Sequence, residues 1–577
     1  MRPPRVTPQP QPAARSAAWP VGLLVALCFT TLPLFLALSP GRPTLFDLWQ
    51  QMGVKVTLHY DDETQAKPSS EPSDSPPESP RDFLLGGLLS PDIAEATCQS
   101  RYLSSLYRPP SPHSPSPYLV SRLRKYEALH RRCGPGTPLY DKSVRQLASA
   151  HHSMGLAECR YLVWTPPGPG ADGGNHHNNL GDRVLSMASA FLYALLTRRV
   201  FLLDMPKDMA GLFCEPFPGA SSWELPAAGF PVKNLTRLSR GSEHSYGNLI
   251  SSKKVSNEDP AAVRAESLPA YAYLHLAHDY QLPDQRFFCD GDQTVLGKVN
   301  WLLLRSDLYF APGLFLVPQF EDELRWMFPA ADTAFHHVGR YLFHPSNKVW
   351  KVIAGYHASY MARFDDRIGI QIATPTTTLA AAGNGSPTAP GLPAAADAQF
   401  EQVTACARQE NILPEVDPDA ASTDYDAAAT SKAVLVSAAR PELAERLRSV
   451  YYEHATVTGE SVTVLPQPGA AGKQPGNQKA LVEMFLLSYC NVSVASGWST
   501  AGYVGNGLAG VKPWLLPPLP RNQTAANPPC VRTTSMEPCF HAPPSYDCRA
   551  KKNGGLGAVL RYVRRCEAVD GGLKLFD

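Results

Sequence analysis

The stretch NNLGDRVLSMASAFLYALLTRRVFLLD, residues 178–204, predicts a helix followed by a buried strand. The helix should begin near Leu180. From Val184 to Leu196 nearly every position is apolar, so we expect the helix to be buried on most sides. The continuous apolar run Val200–Leu203 that follows is typical of a central strand in a parallel sheet. The segment therefore predicts an α/β fold in which strands and helices alternate.

A strand predicted at Arg160–Trp164, closed by a loop rich in Gly and Pro, precedes this helix. The free N–H groups and the positive dipole end of the helix should then point at the carboxyl end of that strand. Gly181 would let a ligand approach the backbone, and Arg183 lies in the first turn, so the pattern favours an anion site. The alternative is that Gly181 only forms a turn and Arg183 is a solvated helix residue.

A second series of alternating strands and helices begins at Asp366–Ile372. Strands are predicted at Lys432–Ser437 and Val462–Leu465, and helices at Pro441–Tyr452 and Lys479–Leu487. This alternation is the signature of another parallel sheet. The sequence thus predicts two Rossmann-like domains that face a cleft.

The last strand of this series, Val492–Ser496, runs through the segment Gly-Trp-Ser-Thr-Ala-Gly into a helix that we place near Tyr503. Hydroxyl groups and glycines at a strand-to-helix junction suit the binding of a diphosphate. Ser499, Thr500 and Gly502 are the candidates for this site. The alternative is that Ser499 and Thr500 are ordinary helix N-caps.

The length of the chain limits its domain organisation, and its charge limits the kinds of binding partner. A chain of 577 residues is too long for one ordinary core, and its 53 basic and 52 acidic residues argue against nucleic acid as the main partner. The 56 prolines are concentrated in the N-terminal third and in loops, which indicates a stalk ahead of a globular part.

Residues 181–197 resemble the plant cell-wall fucosyltransferases, whose pattern Gly-[Leu/Asn]-Arg-[hydrophobic]-Leu-Ser-x-Ala-Ser-Ala-Phe-Leu-Tyr-Ala-Leu-Leu-Thr they match except at Asp182. The resemblance runs from about Cys98 to the C-terminus and is closest to the xyloglucan-type galactoside 2-alpha-L-fucosyltransferases. Further motifs that resemble the family follow in order at residues 212–219, 273–276, 287–289, 297–301, 336–345, 367–372, 477–480, 497–500 and 535–544.

The resemblance implies an inverting glycosyltransferase of the GT-B architecture. It implies transfer of fucose from GDP-fucose to galactose of a cell-wall glycan, in an alpha-1,2 linkage to xyloglucan or, in a close variant, to arabinogalactan-protein glycans. It also implies a metal-independent reaction with no cofactor, so arginines and helix dipoles must neutralise the leaving diphosphate. Arg183 and Arg340 are the arginine candidates, and Gln371 lies in a matched motif beside the expected donor site.

One departure from the family lies at the end of the strand Asp366–Ile372. Members of the family typically continue there with an arginine that resembles a phosphate clamp, whereas this chain has Ala373. Loss of a charge that stabilises a transition state can cost on the order of 10²- to 10³-fold in rate. A competing hypothesis is therefore a catalytically impaired paralogue that binds glycan or acts as a scaffold.

The base that deprotonates the acceptor hydroxyl has several candidates. Asp290 or Asp292, beside Cys289, would suit this role, and His336, His337 and His344 are alternatives. A histidine pair in an aromatic motif is also typical of a hydrogen-bonded core. The Asp-x-Asp spacing of residues 290–292 would hold a metal in other transferases, but here no metal site is expected.

Residues 17–38 carry no charge and are long enough to span a bilayer. Three arginines precede them, so the positive-inside rule predicts a type II signal anchor with the rest of the chain in the lumen, which the resemblance implies is that of the Golgi. A cleaved signal peptide ending near Ser39 is the alternative. Besides GDP-fucose, the polysaccharide acceptor and the Golgi membrane, the partners left open are other cell-wall glycosyltransferases and a second copy of the chain.

These features together predict six segments along the chain. The list is a cytosolic tail at 1–16, a transmembrane anchor at 17–38, a disordered stem at 39–82, an N-terminal acceptor-side domain at 83–360, a C-terminal nucleotide-sugar domain at 361–525 and a Cys-rich extension at 526–577. Three segments within the domains, 240–266, 373–396 and 415–430, are predicted loops because their composition offers little to bury.

The cysteines and sequons also favour a lumenal location. Eleven of the twelve cysteines follow the anchor, which predicts disulfides with at least one thiol left over, and Cys530, Cys539, Cys548 and Cys566 predict a stapled C-terminal extension. Glycosylation sequons lie at Asn234, Asn384, Asn491 and Asn522. We expect poor occupancy at Asn384, which precedes Ser-Pro, and at Asn491, which enters a predicted strand.

Overall fold

The computed structural model describes residues 84–149, 155–167, 179–219, 222–255, 259–373, 392–421, 431–438, 441–468, 476–519, 526–554 and 562–577. The predicted tail, anchor and stem lie outside these ranges, as do Asn384, Asn522 and most of the predicted loop 373–396. Among the described helices, none combines the length and apolar character that a bilayer crossing requires.

The described α-helices are numbered in chain order. They are α1 Gln99–Tyr107, α2 Pro117–Cys133, α3 Pro138–Ser149, α4 Leu180–Thr197, α5 Tyr246–Ser251, α6 Leu282–Gln285, α7 Asp290–Leu296, α8 Ala311–Leu314, α9 Glu321–Met327, α10 Ala334–Leu342, α11 Asn347–Tyr356, α12 Leu392–Gln409, α13 Glu442–Glu453, α14 Gly476–Leu487 and α15 Thr500–Ala509. Short 3-10 turns lie at Leu235–Arg237, Ala265–Ser267, Arg286–Phe288, Pro318–Phe320 and Ala331–Thr333, and a π turn at His357–Met361.

The strands are numbered in the same way. They are β1 Tyr161–Thr165, β2 Val200–Leu203, β3 Tyr271–Leu276, β4 Trp301–Ser306, β5 Asp366–Ile372, β6 Val416–Ala421, β7 Ser431–Ala438, β8 His454–Thr456, β9 Ser461–Val464, β10 Val492–Ser496, β11 Trp514–Leu516, β12 Val531–Arg532, β13 Tyr546–Asp547, β14 Lys552–Asn553, β15 Val563–Arg565 and β16 Leu573–Leu575.

The first sheet has the order β2-β1-β4-β3, and every neighbouring pair is parallel. Its inner strands are buried along their whole length, which explains why their sequences are continuous apolar runs. Helix α4 packs against this sheet and is buried from Leu180 to Leu195, as the sequence predicted. Because all four strands run the same way, their carboxyl ends share one edge.

The second sheet has the order β12-β11-β10-β5-β7-β9, with only the edge strand β12 antiparallel. Strand β5 lies at its centre between β10 and β7, and Ile370 pairs with Val494 on one side and Val436 on the other. The predicted α/β class with parallel sheets is therefore confirmed.

Three local predictions were wrong. The predicted loop 240–266 contains helix α5, because Tyr246, Leu249 and Ile250 have a face of the core to bury against. The predicted loop 415–430 contains strand β6, which pairs antiparallel with β8 despite its polar sequence. Helix α15 begins at Thr500, three residues before the predicted start, because Ser499 caps it by accepting a hydrogen bond from Gly502 N.

Five disulfides join the described cysteines: Cys98–Cys214, Cys133–Cys159, Cys289–Cys548, Cys406–Cys530 and Cys539–Cys566. The predicted leftover thiol is Cys490, which is buried. Only one of the five bonds lies within the C-terminal extension, while two others attach Cys530 and Cys548 to the rest of the chain. The extension is therefore joined by disulfides mainly to the rest of the chain rather than to itself.

Candidate functional site

Two helix N-termini, one from each sheet, meet end to end. A Cβ atom placed on Gly181 of α4 would lie 2.7 Å from Thr500 Oγ1 and 2.9 Å from the backbone N of Ala501 in α15. Thr500 Oγ1 donates a hydrogen bond to Asn179 Oδ1 over 3.1 Å. The two anion sites predicted separately, about 320 residues apart in sequence, thus lie at one junction, where only glycine fits on the α4 side.

Side chains already cap both helix ends at this junction. Asn179 Oδ1 accepts a hydrogen bond from Asp182 N at 3.1 Å, and Ser499 Oγ accepts one from Gly502 N at 3.1 Å. Ser499 is therefore the N-cap of α15, and Thr500 is its first helical residue. The positive dipole ends remain, but these two N–H groups have partners within the chain.

A cavity of about 240 Å³ opens beside the junction. It is lined by residues that follow the strands of both sheets and by the C-terminal extension: Asp182, Leu185, His278, Asp307, Leu308, Tyr309, Trp498, Thr500, Cys539, His541 and Ala542. In α/β proteins this edge of the sheets is where ligands bind. The cavity is the candidate active site.

A histidine–aspartate pair lies in the wall of the cavity. His278 follows β3 and Asp307 follows β4, so the parallel pairing of these two strands brings them together. Asp307 Oδ2 lies 2.7 Å from His278 Nδ1, and Asp307 Oδ1 accepts a hydrogen bond from His278 N at 2.9 Å. The Asp307 side chain is fully buried while that of His278 is 23% exposed. Asp307 thus fixes the orientation of an imidazole that reaches the cavity.

A second carboxyl group, that of Asp182, also lines the cavity. Burial is the main cause that raises the pKa of Asp182 to about 7, and the negative charge of Asp307 raises it further. Its hydrogen bond with Thr500 acts in the opposite direction by favouring the carboxylate. Asp182 therefore changes charge near neutral pH.

The end of strand β5 carries an unsatisfied polar group. Gln371 is only 7% exposed, and its Oε1 has no hydrogen-bond partner among the described residues. The next residues are held in place, because Ala373 N donates to Ser496 Oγ at 3.2 Å. A Cβ placed on Gly502 would lie 3.3 Å from Gln371 Oε1, so this oxygen faces the start of α15. A buried orphan acceptor beside a helix N-terminus indicates space for a ligand donor group.

The two arginine candidates differ in their surroundings. Arg183 Nη1 lies 2.8 Å from Asp208 Oδ2, which also accepts from Asn477 Nδ2 at 2.8 Å, so this carboxylate ties α4 to α14. Arg340 is buried in α10, where its Nη1 lies 3.2 Å from His336 Nε2, and burial lowers the pKa of Arg340 to about 9. Neither arginine lines the cavity.

The acidic candidates for the catalytic base have structural contacts instead. Asp292 is buried, accepts a hydrogen bond from Tyr246 OH at 2.7 Å and pairs with Arg286 at 3.3 Å. Asp290 begins α7 and accepts from Gln319 N at 3.0 Å. Since neither lines the cavity, the structure does not bring them together with the other candidates.

The histidine alternatives lie in the core around α10. His336 and His337 are 0% and 4% exposed, and burial followed by the charge of Arg340 lowers the pKa of His337 to about 3. Burial likewise lowers the pKa of His336 and His344 well below the usual range. All three are neutral core residues, which was the alternative interpretation of the motif.

Of the two sequons within the described residues, Asn234 is exposed and Asn491 is engaged. Asn491 Nδ2 donates to Asp365 O at 3.0 Å, and Asn491 Oδ1 accepts from Arg367 N at 2.9 Å. Nδ2 also donates to Asp366 Oδ1 at 3.4 Å, and a glycan would take the place of one of its two hydrogens, so at least one of these bonds would be lost, which is in line with the expectation of poor occupancy.

Sequence reasoning missed Asp307, His278, Trp498 and His541 as site residues. The available signal was position, because Asp307 directly follows an apolar segment, as Asp204 does, and His278 lies two residues after another. Such residues are common after strands, and only the pairing of β3 with β4 makes these two neighbours. His541 comes from the extension, which no local pattern connects to the sheets.

Comparisons with known proteins agree with one another. A family model described as xyloglucan fucosyltransferase matches residues 51–549. The chain is 44% identical to a galactoside 2-alpha-L-fucosyltransferase of Arabidopsis thaliana over 500 residues, 86% of this chain and 83% of that one, and 44% identical to its namesake from Pisum sativum over 502 residues, 86% and 82% of the two chains. The solved structure of a mutant of Arabidopsis thaliana FUT1 in complex with GDP superposes with a TM-score of 0.73 at 44% identity, covering 86% of this chain and all of that one.

Proposed function

Because the chain belongs to the xyloglucan fucosyltransferase family and is thus a glycosyltransferase, we propose that it transfers fucose from GDP-fucose to a galactose hydroxyl of a plant cell-wall glycan. The observation that carries the proposal is the His278–Asp307 pair in a cavity at the shared edge of two parallel sheets. Xyloglucan is the acceptor that we favour, with arabinogalactan-protein glycans as the close variant.

The His278–Asp307 pair supplies the base for this reaction. Nδ1 of His278 is engaged with Asp307, so we assign Nε2 to take the proton of the acceptor hydroxyl. The hydroxyl oxygen then attacks the anomeric carbon of fucose as its bond to the phosphate oxygen breaks. GDP leaves with the electron pair, and attack from the opposite side inverts the anomeric centre. Asp307 stabilises the imidazolium that forms.

The donor side of the proposal rests on the second sheet. The similar solved structure is a GDP complex, and in this chain Gln371, Gly502 and the N-terminus of α15 lie close together. We assign GDP to this place, with its diphosphate at the N-terminus of α15, where the helix dipole favours negative charge, and with a hydroxyl or N–H group of the nucleotide donating to Gln371 Oε1. Gly181 and the capped end of α4 complete the junction, which gives the two sheets of a GT-B enzyme a shared donor site.

Ala373 supports a second candidate function, that of an impaired paralogue. Its methyl group at the end of β5 carries no charge, and its backbone is already held by Ser496. A protein that binds GDP or glycan without turnover would keep the fold and lose only the chemistry. The cavity wall argues for the enzyme, because a paralogue without activity has no use for an imidazole that a buried carboxylate orients.

The cellular setting is part of the proposal. Five disulfides fit folding in an oxidising compartment, and the predicted anchor at residues 17–38 would place the described part of the chain in the Golgi lumen.

An acceptor panel tests the proposed function. Full-length protein in detergent is given radiolabelled GDP-fucose with galactosylated xyloglucan oligosaccharide, arabinogalactan glycan or no acceptor, each with and without EDTA. We expect label on xyloglucan, little GDP release without acceptor, and most activity retained in EDTA. Label on no acceptor, with GDP bound, would favour the paralogue. Activity lost in EDTA and restored by manganese would overturn the metal-independent mechanism.

A further inference from the structure

Trp498 is an exposed aromatic side chain in the wall of the cavity. Its 50% exposure is unusual for a tryptophan, and it lies in the wall that also contains Asp182, His278, Asp307 and Thr500. The ring of His541 lies 4.8 Å from the Trp498 ring, centroid to centroid. An apolar surface of this size beside hydrogen-bonding groups is a combination that orients a ligand.

The backbone that carries Trp498 is fixed. Gly497 packs so closely on Ala568 that an added Cβ would overlap the Cβ of that residue, and the carbonyl oxygen of Gly497 accepts a hydrogen bond from Tyr503 OH. Tyr503 OH also lies 3.2 Å from His541 Nε2. The same hydroxyl group therefore holds the backbone that precedes Trp498 and the imidazole of His541, so the backbone freedom lost when a ligand binds here is small.

The chemistry of the cavity selects the class of ligand. A volume of about 240 Å³ is below the roughly 300–1,000 Å³ of pockets that take drug-sized ligands, and it suits about one sugar ring. A pyranose has an apolar face of C–H groups, which suits an aromatic ring, and a rim of hydroxyls, which suits carboxylates. The two carboxyl groups in the wall, Asp182 and Asp307, disfavour a diphosphate there.

We propose that Trp498, backed by His541, is the platform on which the galactose ring of the acceptor stacks, so that Trp498 is a specificity-determining residue. This proposal rests on the proposed function. The sugar bound at Trp498 is assigned to the acceptor rather than to fucose because Trp498 and His278 line the same cavity. A base must reach the hydroxyl that it deprotonates, so the sugar in its cavity is the acceptor.

Kinetics of matched tryptophan variants test the platform. Trp498→Ala and Trp498→Gln are compared in the full-length protein with Trp498→Phe, which keeps a ring, and with Trp326→Ala. Trp326 is a suitable control, because it is 51% exposed, lies on α9, where it packs against Tyr118 of α2, and does not line the cavity. We expect Ala and Gln to raise the KM for the acceptor about tenfold or more, Phe to raise it less than threefold, and Trp326→Ala to leave it unchanged.

A binding experiment separates failure of the platform from failure of the proposed function. Saturation-transfer NMR on a galactose-terminated oligosaccharide should show contact at the galactose ring protons, lost in Trp498→Ala and Trp498→Gln and kept in Trp326→Ala. Binding of this kind without fucose transfer would support the role proposed for Trp498 and contradict the proposed fucosyltransferase activity. An unchanged acceptor KM and unchanged binding in both ring-deleting variants, or a rise in the KM for GDP-fucose alone, would overturn the platform.

Discussion

The carboxyl edges of the two sheets differ in how completely their polar groups are paired. On the first edge, both carboxylate oxygens of Asp307 are engaged by His278. On the second edge, Gln371 Oε1 is buried without a partner among the described residues, and the residue that follows β5 is the uncharged Ala373. The polar groups of the first edge are therefore paired within the chain, whereas the second edge keeps a buried acceptor for a ligand. On the proposed function, the catalytic group is preorganised and the donor site is completed by GDP.

Among the substitutions that test this difference between the two edges, Asp307→Asn should have the largest effect, on kcat. An amide can hold the imidazole but cannot stabilise its charged form, so kcat should fall about 10³-fold, within the range for general-base catalysis. GDP affinity should not change. The control is Asp279→Asn, which removes a similar carboxylate 2.7 Å from His275 on the same edge. Steady-state rates of the two full-length variants check the prediction, and equal losses in both would contradict it.

The next effect concerns Asp182, the carboxyl on the first edge that lacks a matched cation. Its folded pKa of about 7 exceeds the unfolded value of about 3.9, so the folded state binds the proton more tightly and loses stability as pH rises through this range. Asp182→Asn should therefore stabilise the protein at pH 8, by up to about 4 kcal/mol, and not at pH 4.

Thermal and urea midpoints of the native and Asp182→Asn proteins at pH 4 and 8 measure this. The amide keeps an oxygen for the contacts with Thr500 and Asn179, so capping is preserved. A stability gain of equal size at both pH values would show that charge is not the cause.

A smaller effect is expected where the two edges touch. Gly181→Ala forces a Cβ against Thr500 and the backbone of Ala501, so the helix ends must separate at a cost of about 2 kcal/mol. Gly355→Ala is the control, because nothing lies within 4 Å of its added Cβ in helix α11, and it should stabilise the protein by up to about 1 kcal/mol. Thermal midpoints that move in the same direction for both variants would argue against a tight junction.

The smallest effect expected is that of Ala373→Arg, which adds a charge at the second edge and should change the affinity for GDP. A charge-assisted hydrogen bond to the diphosphate should tighten GDP binding by about 1.5 kcal/mol, roughly tenfold, at the low end because the following loop has a different composition from the family. Calorimetry with GDP measures the gain, and Ala373→Leu controls for size without charge. If Ala373→Leu tightens GDP binding as much as Ala373→Arg does, the gain comes from the size of the side chain and not from its charge.

Much of the fold was predictable because burial on both faces leaves a clear pattern. Strands Val200–Leu203, Asp366–Ile372 and Val492–Ser496 were predicted with their observed bounds. Helix α5 and strand β6 were missed, since each is short, sits in a polar stretch and exists through tertiary contacts. The local sequence pattern thus predicts elements whose own residues are mostly apolar. It misses short elements in polar segments, which form only through contacts with residues distant in sequence.

The site was predictable only in part, for the same reason. The two helix N-termini were each identified from glycines and hydroxyls, but their contact depends on how the sheets pack. His278 and Asp307 are single polar residues after strands. They become neighbours only because of the register in which β3 pairs with β4. Asp290 and Asp292 had the more noticeable sequence pattern, yet their partners Gln319, Tyr246 and Arg286 make them structural.

The C-terminal extension contributes to the cavity from the far end of the chain. Cys548 bonds to Cys289, 259 residues earlier, and Glu537 Oε2 accepts a hydrogen bond from Tyr309 OH at 2.5 Å while Glu537 Oε1 accepts from Phe335 N at 2.6 Å. During synthesis these partners emerge from the ribosome long before the residues that complete them. The core around Tyr309 and Phe335 is therefore completed only after the last stretch of translation, and a premature stop codon ahead of His541 would remove part of the cavity wall rather than shorten a tail.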